Sequence, residues 1–435
     1  MELKKYKLGE ILDVTRGASL SGEFYATEGK YIRLTCGNFD YQNNCFKENK
    51  SKDNIYYVGD FKPEFLMEKG DIITPLTEQA IGLLGSTAII PESSKYIQSQ
   101  DVAKIICKED LLDKDFAFYL ISSALVKQQL SAAAQQTKIR HTSPDKIKDC
   151  TVWIPELSEQ KRIGKLLCSI DRKIELNRAI NQNLEAMAKQ LYDYWFVQFD
   201  FPNGEGKPYK SSGGKMVWNE KLKREIPQGW NNGMLIDIAN ITMGQSPDGS
   251  SYNEVGEGML FYQGSTDFGM RFPSVRQYTT APSRYAKRGD ILMSVRAPVG
   301  SINIANNDCC IGRGLSAINS KLGSTTHLYY ILNDLRIAFE QRNAAGTTFG
   351  SITKEDLYSL PIIIPSHEVI RAFDKICSPM FDRQMILGEE IDNLIKQRDG
   401  LLPLLMNGQV SVNSDLAVLY IIIIIGTKYQ NYELY

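Results

Sequence analysis

The chain has 435 residues, which at roughly 100–200 residues per domain allows two to four domains. Hydrophobic residues make up 43% of it and charged residues 23%, a globular composition that argues against wholesale disorder. Lys and Arg total 50 against 51 Asp and Glu, so the net charge of −1 excludes polyanion binding through overall charge, and nucleic-acid binding requires local basic patches.

Cysteines and apolar segments indicate the compartment. The eight cysteines are scattered without a Cys-x-x-Cys pair, so we expect reduced thiols rather than a zinc ribbon or a disulfide framework. The N-terminal stretch MELKKYKLGEIL lacks the long apolar core of a signal peptide. The longest apolar run, Leu416–Gly426, has about half the length that a membrane-spanning helix needs. We therefore expect a cytoplasmic chain with no membrane partner.

Residues 1–156 combine strand and helix patterns. Short β-type runs bounded by glycine cover residues 71–75 and 81–90. An apolar period typical of a helix covers residues 116–130, and Ser143 before Pro144 predicts the start of another helix. A further strand ends just before Pro155. The pattern predicts an α/β or α+β domain that is large enough for its own core.

A long helix is predicted within residues 157–201. Apolar residues recur at heptad spacing over about four repeats, at Ile163, Leu167, Ile170, Ile174, Leu184 and Leu191. Asn177 and Asn181 interrupt the seam with polar side chains that could fix its register. The aromatic run Tyr192–Phe201 follows, and Pro, Gly and Ser then predict a flexible linker over residues 202–228.

Residues 229–365 repeat the first domain. Four segments match in the same order, with an offset that drifts from 227 to 210 residues, as insertions and deletions in loops allow. The matched pairs are Leu8–Gly17 with Leu235–Gly244, Lys69–Ile73 with Arg288–Leu292, Leu84–Ile89 with Val299–Ile304, and Val152–Pro155 with Ile362–Pro365. The match predicts an internal two-fold duplication, and Thr353 with Asp356 predicts a helix start by a capping box.

A second long helix is predicted within residues 366–412. Its heptad positions include Phe373, Met380, Leu387, Ile391 and Leu394, whereas Pro379 and Gly388 are positions where it could kink. Each helix could simply pack on its own domain. The alternative that we favour is an antiparallel coiled-coil spacer in which the two stripes bury each other. Residues 413–435 form an atypical tail whose structure the sequence does not decide.

Motifs for catalysis are not visible. The sequence contains no Walker loop, no Gly-x-Gly-x-x-Gly and no Gly-x-Ser-x-Gly, and its three histidines are isolated. We therefore expect no cofactor, no metal and no catalytic residue in this chain.

Clusters of Lys and Arg indicate a function more strongly than any catalytic motif does. Residues 271–296 contain six Lys or Arg against one Asp, a local charge of +5, and residues 138–148 contain four against one. Such clusters are often plain solvated surface, but Lys and Arg can also position phosphates and read base edges. The candidate DNA contacts are Lys138, Arg140, His141 and Lys146 in the first domain and Arg271, Arg276, Arg284, Arg296 and Thr348 in the second.

In their order along two copies, the motifs resemble the DNA specificity subunit of type I restriction-modification systems. The resemblance covers residues 1 to about 412 and is carried by GDILMSVRAPVGS at Gly289–Ser301, IGRGLSA at Ile311–Ala317, YWFVQFD at Tyr194–Asp200 and IPQGW at Ile226–Trp230. It implies two target-recognition domains that read a bipartite, asymmetric site in double-stranded DNA.

The resemblance also implies partners. The spacer helices would dock two methyltransferase subunits that carry the S-adenosylmethionine chemistry, and restriction and translocase subunits would join through the complex. Two other hypotheses stay open, namely a self-contained restriction-modification enzyme and a coiled-coil scaffold that binds no DNA.

Overall fold

A computed structural model describes residues 2–50, 53–78, 82–133, 140–269, 271–344 and 351–412. The chain divides into two compact units. Unit 1 joins the residues up to Ile174 with those from Asn393 onward, and unit 2 comprises Glu175–Asp392. Each long helix is therefore shared between the two units.

Unit 1 mixes strands and helices. Its strands are β1 Lys4–Lys7, β2 Leu12–Arg16, β3 Tyr25–Ala26, β4 Tyr31–Arg33, β5 Phe39–Asp40, β6 Cys45–Phe46, β7 Tyr56–Tyr57, β8 Ile72–Pro75, β9 Thr77–Glu78, β10 Ala88–Ile89, β11 Tyr96–Ile97, β12 Val102–Cys107, β13 Arg140–His141 and β14 Thr151–Ile154. Its helices are α1 Leu8–Ile11, α2 Lys114–Ile121, α3 Ala124–Ala133, α4 Pro144–Lys148 and the first part of α5 Leu157–Tyr192.

Unit 2 has a similar inventory. Its strands are β15 Met216–Asn219, β16 Arg224–Pro227, β17 Asn231–Met234, β18 Ala239–Met243, β19 Tyr252–Asn253, β20 Met259–Tyr262, β21 Gln277–Thr279, β22 Tyr285–Ala286, β23 Ile291–Ser294, β24 Ile302–Ile304, β25 Cys309–Ile311, β26 Leu315–Ser320 and β27 Pro361–Ile364. Its helices are α6 Leu235–Ile238, α7 Thr325–Ala344, α8 Lys354–Tyr358 and most of α9 His367–Met406.

The main sheets of the two units have matching strand orders. Unit 1 has β10-β8-β12-β2, and unit 2 has β24-β23-β26-β18, in both cases with antiparallel neighbours. Each unit also contains a two-stranded ladder that joins a strand before its main sheet to the strand before its long helix, because β1 pairs with β14 and β17 pairs with β27. The long helix starts a few residues after that ladder, so the ladder anchors the domain at the start of its helix.

Two predicted helix starts are confirmed. The Ser143 side chain accepts a hydrogen bond from the Lys146 amide, and Pro144 is the first residue of α4. Thr353 and Asp356 form the predicted capping box at the start of α8. The strands before Pro155 and Pro365 are also present, as β14 and β27.

Three elements differ from the sequence-based prediction. The helix expected over residues 116–130 is two helices, because the backbone leaves the helix at Ser122 and Ser123. Of the strand expected over residues 81–90, only β10 forms, and residue 81 lies outside the described residues. Helix α9 continues through Pro379 and Gly388, where we considered a kink.

The predicted flexible linker is packed in place. Phe201 stacks against Tyr209 and Trp230, at ring centroid distances of 4.7 and 4.9 Å. The Asp200 carboxylate accepts hydrogen bonds from the backbone N–H and the hydroxyl of Ser211. The hairpin of β15 and β16 completes this segment. Aromatic burial therefore orders a stretch whose glycines and prolines alone predicted a loose connection.

Within unit 1, the start of α5 packs against the end of α9. Ile163 and Leu167 are buried in one core with Leu405. Asp171 accepts a hydrogen bond of 2.8 Å from Arg398, and further toward the start of α5 Glu159 accepts one from the Val412 amide. As the residue numbers fall along α5, the residue numbers of their partners rise, so the two segments run antiparallel.

Within unit 2, the rest of α5 packs against the rest of α9 in the same sense. The Gln384 side chain donates to the Asn181 carbonyl at 3.2 Å, and Phe373 packs against Tyr192 and Trp195. Asn177, Asn181 and Gln384 are all buried. The predicted heptad positions Leu387 and Ile391 are buried too, whereas Leu184, Leu191 and Met380 are half-buried, and in unit 1 Ile170, Ile174 and Leu394 are buried.

Gly388 should be the most demanding glycine of α9. A Cβ atom there would lie 2.0 Å from Cε2 of the buried Phe272, whereas a Cβ at Gly400 would meet nothing within 4 Å. We expect Gly388→Ala to lower the free energy of unfolding by about 1–3 kcal/mol through overpacking. Gly400→Ala should raise it by up to about 1 kcal/mol through helix propensity. Thermal and urea unfolding of both variants measures this, and equal effects at the two glycines would contradict the packing.

His327 should make unit 2 acid-sensitive. Its ring is buried against Phe196 at 4.6 Å, and burial lowers its pKa from 6.5 to about 3. The unfolded chain therefore binds more protons than the folded chain between these pH values, so stability present above pH 6.5 is lost as the pH falls toward 3. Relative to His327→Phe, the wild type should lose about 1.4 kcal/mol per pH unit below about pH 6.

The measurement is the free energy of unfolding of both proteins from pH 7 to pH 4.5. A constant difference between wild type and His327→Phe over this range would show that the folded state does not hold a neutral His327.

Candidate nucleic-acid interface

Each unit contains, at the same place in its fold, a very short pair of antiparallel strand segments, which we call the crossing. In unit 1 it is formed by β9 and β13, and in unit 2 by the bridge between Arg296 and Ser351. Both follow a central strand of the main sheet and precede a capped short helix. The backbone pairing also matches, because Thr142 donates to the Leu76 carbonyl at 2.9 Å and Ile352 to the Val295 carbonyl at 2.9 Å.

Two candidate DNA contacts lie on the crossing of unit 1. Arg140 is exposed and lies opposite Glu78, with 3.6 Å between its Nη1 and Glu78 Oε2, and it donates to the Ser131 hydroxyl at 3.0 Å. His141 is exposed, and its Nδ1 lies 3.4 Å from the hydroxyl of Thr77 on the facing strand. The crossing therefore brings an arginine and a histidine to one surface.

The other two candidates of unit 1 are less informative. Lys146 lies on α4 and donates from Nζ to the Ala133 carbonyl at 3.0 Å, so it is half-buried but near the crossing. Lys138 lies outside the described residues.

In unit 2, Arg296 and Arg284 have free guanidinium groups. Both are exposed, and neither has an ion pair or a side-chain hydrogen bond within the described part of the chain. The hydroxyl of Ser294 donates to the Arg296 carbonyl at 2.7 Å and so fixes the backbone beside the crossing. An unpaired, exposed guanidinium can contact phosphate or the edge of a guanine.

Arg271 differs from them, because it is buried. Its side chain is only 8% exposed, and Nη1 lies 3.1 Å from Glu185 Oε2. The guanidinium also covers the rings of Tyr329 and Phe381, at 5.4 and 4.5 Å from their centroids. A direct DNA contact needs an accessible guanidinium, so we correct this expectation and assign Arg271 a packing role in unit 2.

Ion pairing also reduces the free charge of residues 271–296. Arg276 pairs with the buried Asp267, and Arg288 pairs with Glu389 at 2.6 Å. Arg276 remains 60% exposed and can still reach a phosphate. Three of the six basic residues in this cluster are therefore matched by carboxylates, which leaves fewer cations for DNA than the sequence count suggested. Thr348 lies outside the described residues.

A second exposed surface lies on the part of α5 that belongs to unit 2 and on the turn that follows it. Every exposed residue from Leu176 to Gln198 is uncharged, although 23% of the chain is charged. We call this the uncharged face, and its exposed residues are Leu176, Ala179, Ile180, Gln182, Asn183, Ala186, Met187, Gln190, Tyr194, Val197 and Gln198. Ile180, Met187 and Tyr194 follow one another at intervals of seven residues.

Several large apolar side chains of the uncharged face are exposed. Leu176 is 53% exposed, Met187 54% and Val197 44%. The part of α5 in unit 1 is the opposite case, since its exposed residues are Ser158, Lys161, Arg162, Lys165 and Arg172. A contiguous apolar stripe on a helix is typical of a surface that another protein covers.

The His, Cys, Asp and Glu side chains are scattered over the described residues. No group of three or more His, Cys, Asp or Glu among them could hold a metal ion. All eight cysteines are unpaired, and burial raises the pKa of the Cys107 thiol to about 11 and that of Cys309 to about 12, which keeps these thiols protonated.

The model of the type I restriction modification DNA specificity domain matches residues 1–186 and 227–397. The chain belongs to this family. A relative assigned as the MjaX specificity subunit of a type I restriction enzyme in Methanocaldococcus jannaschii is 30% identical over 373 residues, which cover 82% of this chain and 83% of that one.

Further members of the specificity family are more distant. The HindI specificity subunit of a type I restriction enzyme from Haemophilus influenzae is 23% identical, and the match covers 94% of this chain and 99% of that one. The crystal structure of a type I restriction-modification S subunit from M. genitalium matches with a TM-score of 0.62 at 16% identity, over 93% of this chain and 96% of that chain. The resemblance seen in the sequence motifs is thereby confirmed.

Two features of this family member were not predicted from sequence. Thr77 and Ser351 face the basic residues of the crossings, and only the strand pairing reveals them, since 64 residues separate Thr77 from His141. The uncharged face has no clear signal in the sequence, because Arg178, Glu185, Lys189 and Asp193 lie in the same segment and only the structure shows that they are half-buried. Among the described residues, no helix is both long and apolar enough to span a membrane.

Proposed function

We propose that this specificity-family chain reads a bipartite, asymmetric site in double-stranded DNA, with one half-site for each unit. The observation that carries the proposal is the recurrence of one strand crossing with exposed basic side chains in both units. Matching strand orders in the two main sheets support an origin by internal duplication. The domains would then comprise residues 1–156 and 229–365.

The proposed contacts divide by chemistry. Arg140, His141 and Arg296 lie on the crossings and are positioned to read base edges in the major groove. Lys146, Arg276 and Arg284 supply charge for phosphates, which position the duplex without reading its sequence. Lys138 and Thr348 stay predictions from sequence. Because the chain has a net charge of −1, these few groups must provide the local attraction.

We further propose that α5 and α9 form an antiparallel coiled-coil spacer that sets the separation of the half-sites. The antiparallel contacts within each unit support this, as does the burial of Asn181 and Gln384 at heptad positions. The spacer would comprise residues 157–201 and 366–412.

The uncharged face is the proposed docking surface for a methyltransferase subunit. Its apolar residues at intervals of seven suit an apolar helix of a partner, and because none of its exposed residues is charged, the desolvation cost that buried ions carry is small. We propose that two methyltransferase subunits join the chain, that restriction and translocase subunits attach through them, and that this chain itself catalyses no step.

Mapping of methylated motifs across a genome tests the proposal. Cells that express the chain with its methyltransferase partner should show one bipartite methylated motif that is absent without the chain. Removal of one heptad from each long helix shortens a helix by about 10 Å and should reduce the spacing within the motif by about three base pairs.

Other outcomes are equally clear. An unchanged spacing after removal of the heptads would refute the spacer, and a methylome that does not depend on the chain would refute DNA recognition. If the purified chain alone transferred methyl groups or cut DNA, a self-contained enzyme would be the correct description. A chain that bound its partner but no duplex would be a scaffold.

The docking surface should respond to charge. Ile180→Glu combined with Met187→Glu introduces two carboxylates into the uncharged face, and the complex with the methyltransferase subunit should weaken at least tenfold because burying them is costly. Lys161→Glu combined with Lys165→Glu on the charged part of the same helix is the matched control and should leave affinity unchanged. Size-exclusion chromatography and titration measure the effect, and equal loss in both variants would contradict the assignment.

A further inference from the structure

The two strand crossings carry the same pair of chemical groups in exchanged places. In unit 1 the first strand of the crossing supplies a hydroxyl, Thr77, and the second strand supplies a basic ring, His141. In unit 2 the first strand supplies the basic residue Arg296, and Ser351 opposite it supplies the hydroxyl. Each crossing thus brings one basic side chain directly opposite one hydroxyl side chain.

Backbone geometry brings the members of each pair together. The amides that follow His141 and Ser351 donate to the carbonyls that precede Thr77 and Arg296, so neither pair exchanges its own backbone hydrogen bonds. In an antiparallel ladder such pairs have the closer side chains, and both side chains lie on one face. The Thr77 hydroxyl and His141 Nδ1 are indeed 3.4 Å apart.

From this arrangement we propose that each pair determines one base position of the half-site that its unit reads, and that Arg296 with Ser351 selects guanine. The inference rests on the proposed function and adds to it which residues carry the specificity. A guanidinium can donate two hydrogen bonds to O6 and N7 of guanine, and a neighbouring hydroxyl can donate or accept beside it.

The surroundings of Arg296 favour base reading over a role in packing. Its side chain and that of Ser351 are exposed, and neither has a side-chain hydrogen bond within the described residues. Arg276, on the same unit, is instead paired with Asp267. The Arg296 guanidinium is therefore available, while the Ser294 hydroxyl holds its backbone in place.

The pair of unit 1 is built differently. Thr77 is buried, and its hydroxyl lies 3.4 Å from Asp101 as well as 3.4 Å from His141, so the histidine is held from one side. The adjacent Arg140 is opposed by the buried carboxylate of Glu78. The crossing of unit 1 therefore presents hydrogen-bond donors together with the carboxylate acceptor of Glu78. The crossing of unit 2 presents Arg296 and Ser351 without a carboxylate among its described residues, so we expect the two units to prefer different bases.

The deciding experiment uses the full chain in complex with its methyltransferase subunit and a library of randomised DNA duplexes. Arg296→Gln replaces a side chain suited to guanine by one suited to adenine. We expect one position of one half-site to change its preference from guanine toward adenine, with discrimination altered by about 10- to 100-fold. Ser351→Ala should weaken the preference at the same position only.

Arg284→Gln is the matched control, since it makes the same substitution at another exposed, unpaired arginine of unit 2. It should lower affinity for all duplexes equally and leave every base preference unchanged. His141→Gln should alter one position in the other half-site and none in the half-site of unit 2. Thermal unfolding of each variant verifies the fold, and Ser351→Ala still tests the pair if Arg296→Gln is unstable.

Two results would overturn the inference. One is an unchanged preference at every position in Arg296→Gln and Ser351→Ala, and the other is a loss spread equally over all positions, which would mark Arg296 as a phosphate contact. If the wild-type complex itself shows no sequence preference, it is the proposed function that fails. If the wild type selects a bipartite site that these variants do not change, only the assignment of the pairs fails.

Discussion

Each unit depends on a two-stranded ladder that joins the two ends of the segment containing its main sheet. Lys4 pairs with Ile154 in unit 1, and Asn231 pairs with Ile364 in unit 2. Both ends of this segment meet in the ladder, and a long helix follows the ladder directly in the chain. Loops between the paired strands can therefore change in length while the connection to the helix stays the same. The offset between the matching segments of the two units falls from 227 residues at the first strands to 210 at the last, and loops can absorb such a difference.

Electrostatics then separates two kinds of arginine. Arg271 and Arg398 have buried or half-buried guanidinium groups that meet Glu185 and Asp171. An arginine of this kind stabilises packing, and removing one partner leaves a poorly solvated charge. Arg284 and Arg296 have no such partner among the described residues. A chain with a net charge of −1 can still attract DNA if the few unpaired cations are gathered on the surface that binds it.

Features of the fold could be predicted from the sequence where the residues that determine them lie close together in the chain. Heptads and capping residues act over one or two turns, so Ile163, Leu167, Ser143 and Thr353 were identified correctly from sequence. The burial of Arg271 was not, because Glu185 lies 86 residues away in the chain. The composition of residues 202–228 suggested a flexible linker. The stacking of Phe201 on Trp230 that orders this segment joins residues far apart in the sequence, so composition does not reveal it.

The candidate site can be predicted from the sequence only in part, for the same reason. The clusters around Arg140 and Arg296 are local in sequence, but their opposite partners are not, and the partners decide which charges are free. Thr77 and Ser351 carry no motif of their own. They become candidates only when strand pairing brings them opposite basic residues, so a search for basic runs alone could not find them.

Within unit 2, polar residues are buried where α5 packs against α9. Asn177 Nδ2, Asn181 Nδ2 and Gln384 Oε1 are buried, and none has a hydrogen-bond partner among the described residues. Apolar residues at these heptad positions would stabilise the helices more, since an unpaired polar atom costs about 1–3 kcal/mol. A seam of leucines alone tolerates shifts by a heptad, whereas polar residues permit one register. If the helix pair measures the distance between half-sites, a single register is worth more than the stability that these residues forgo.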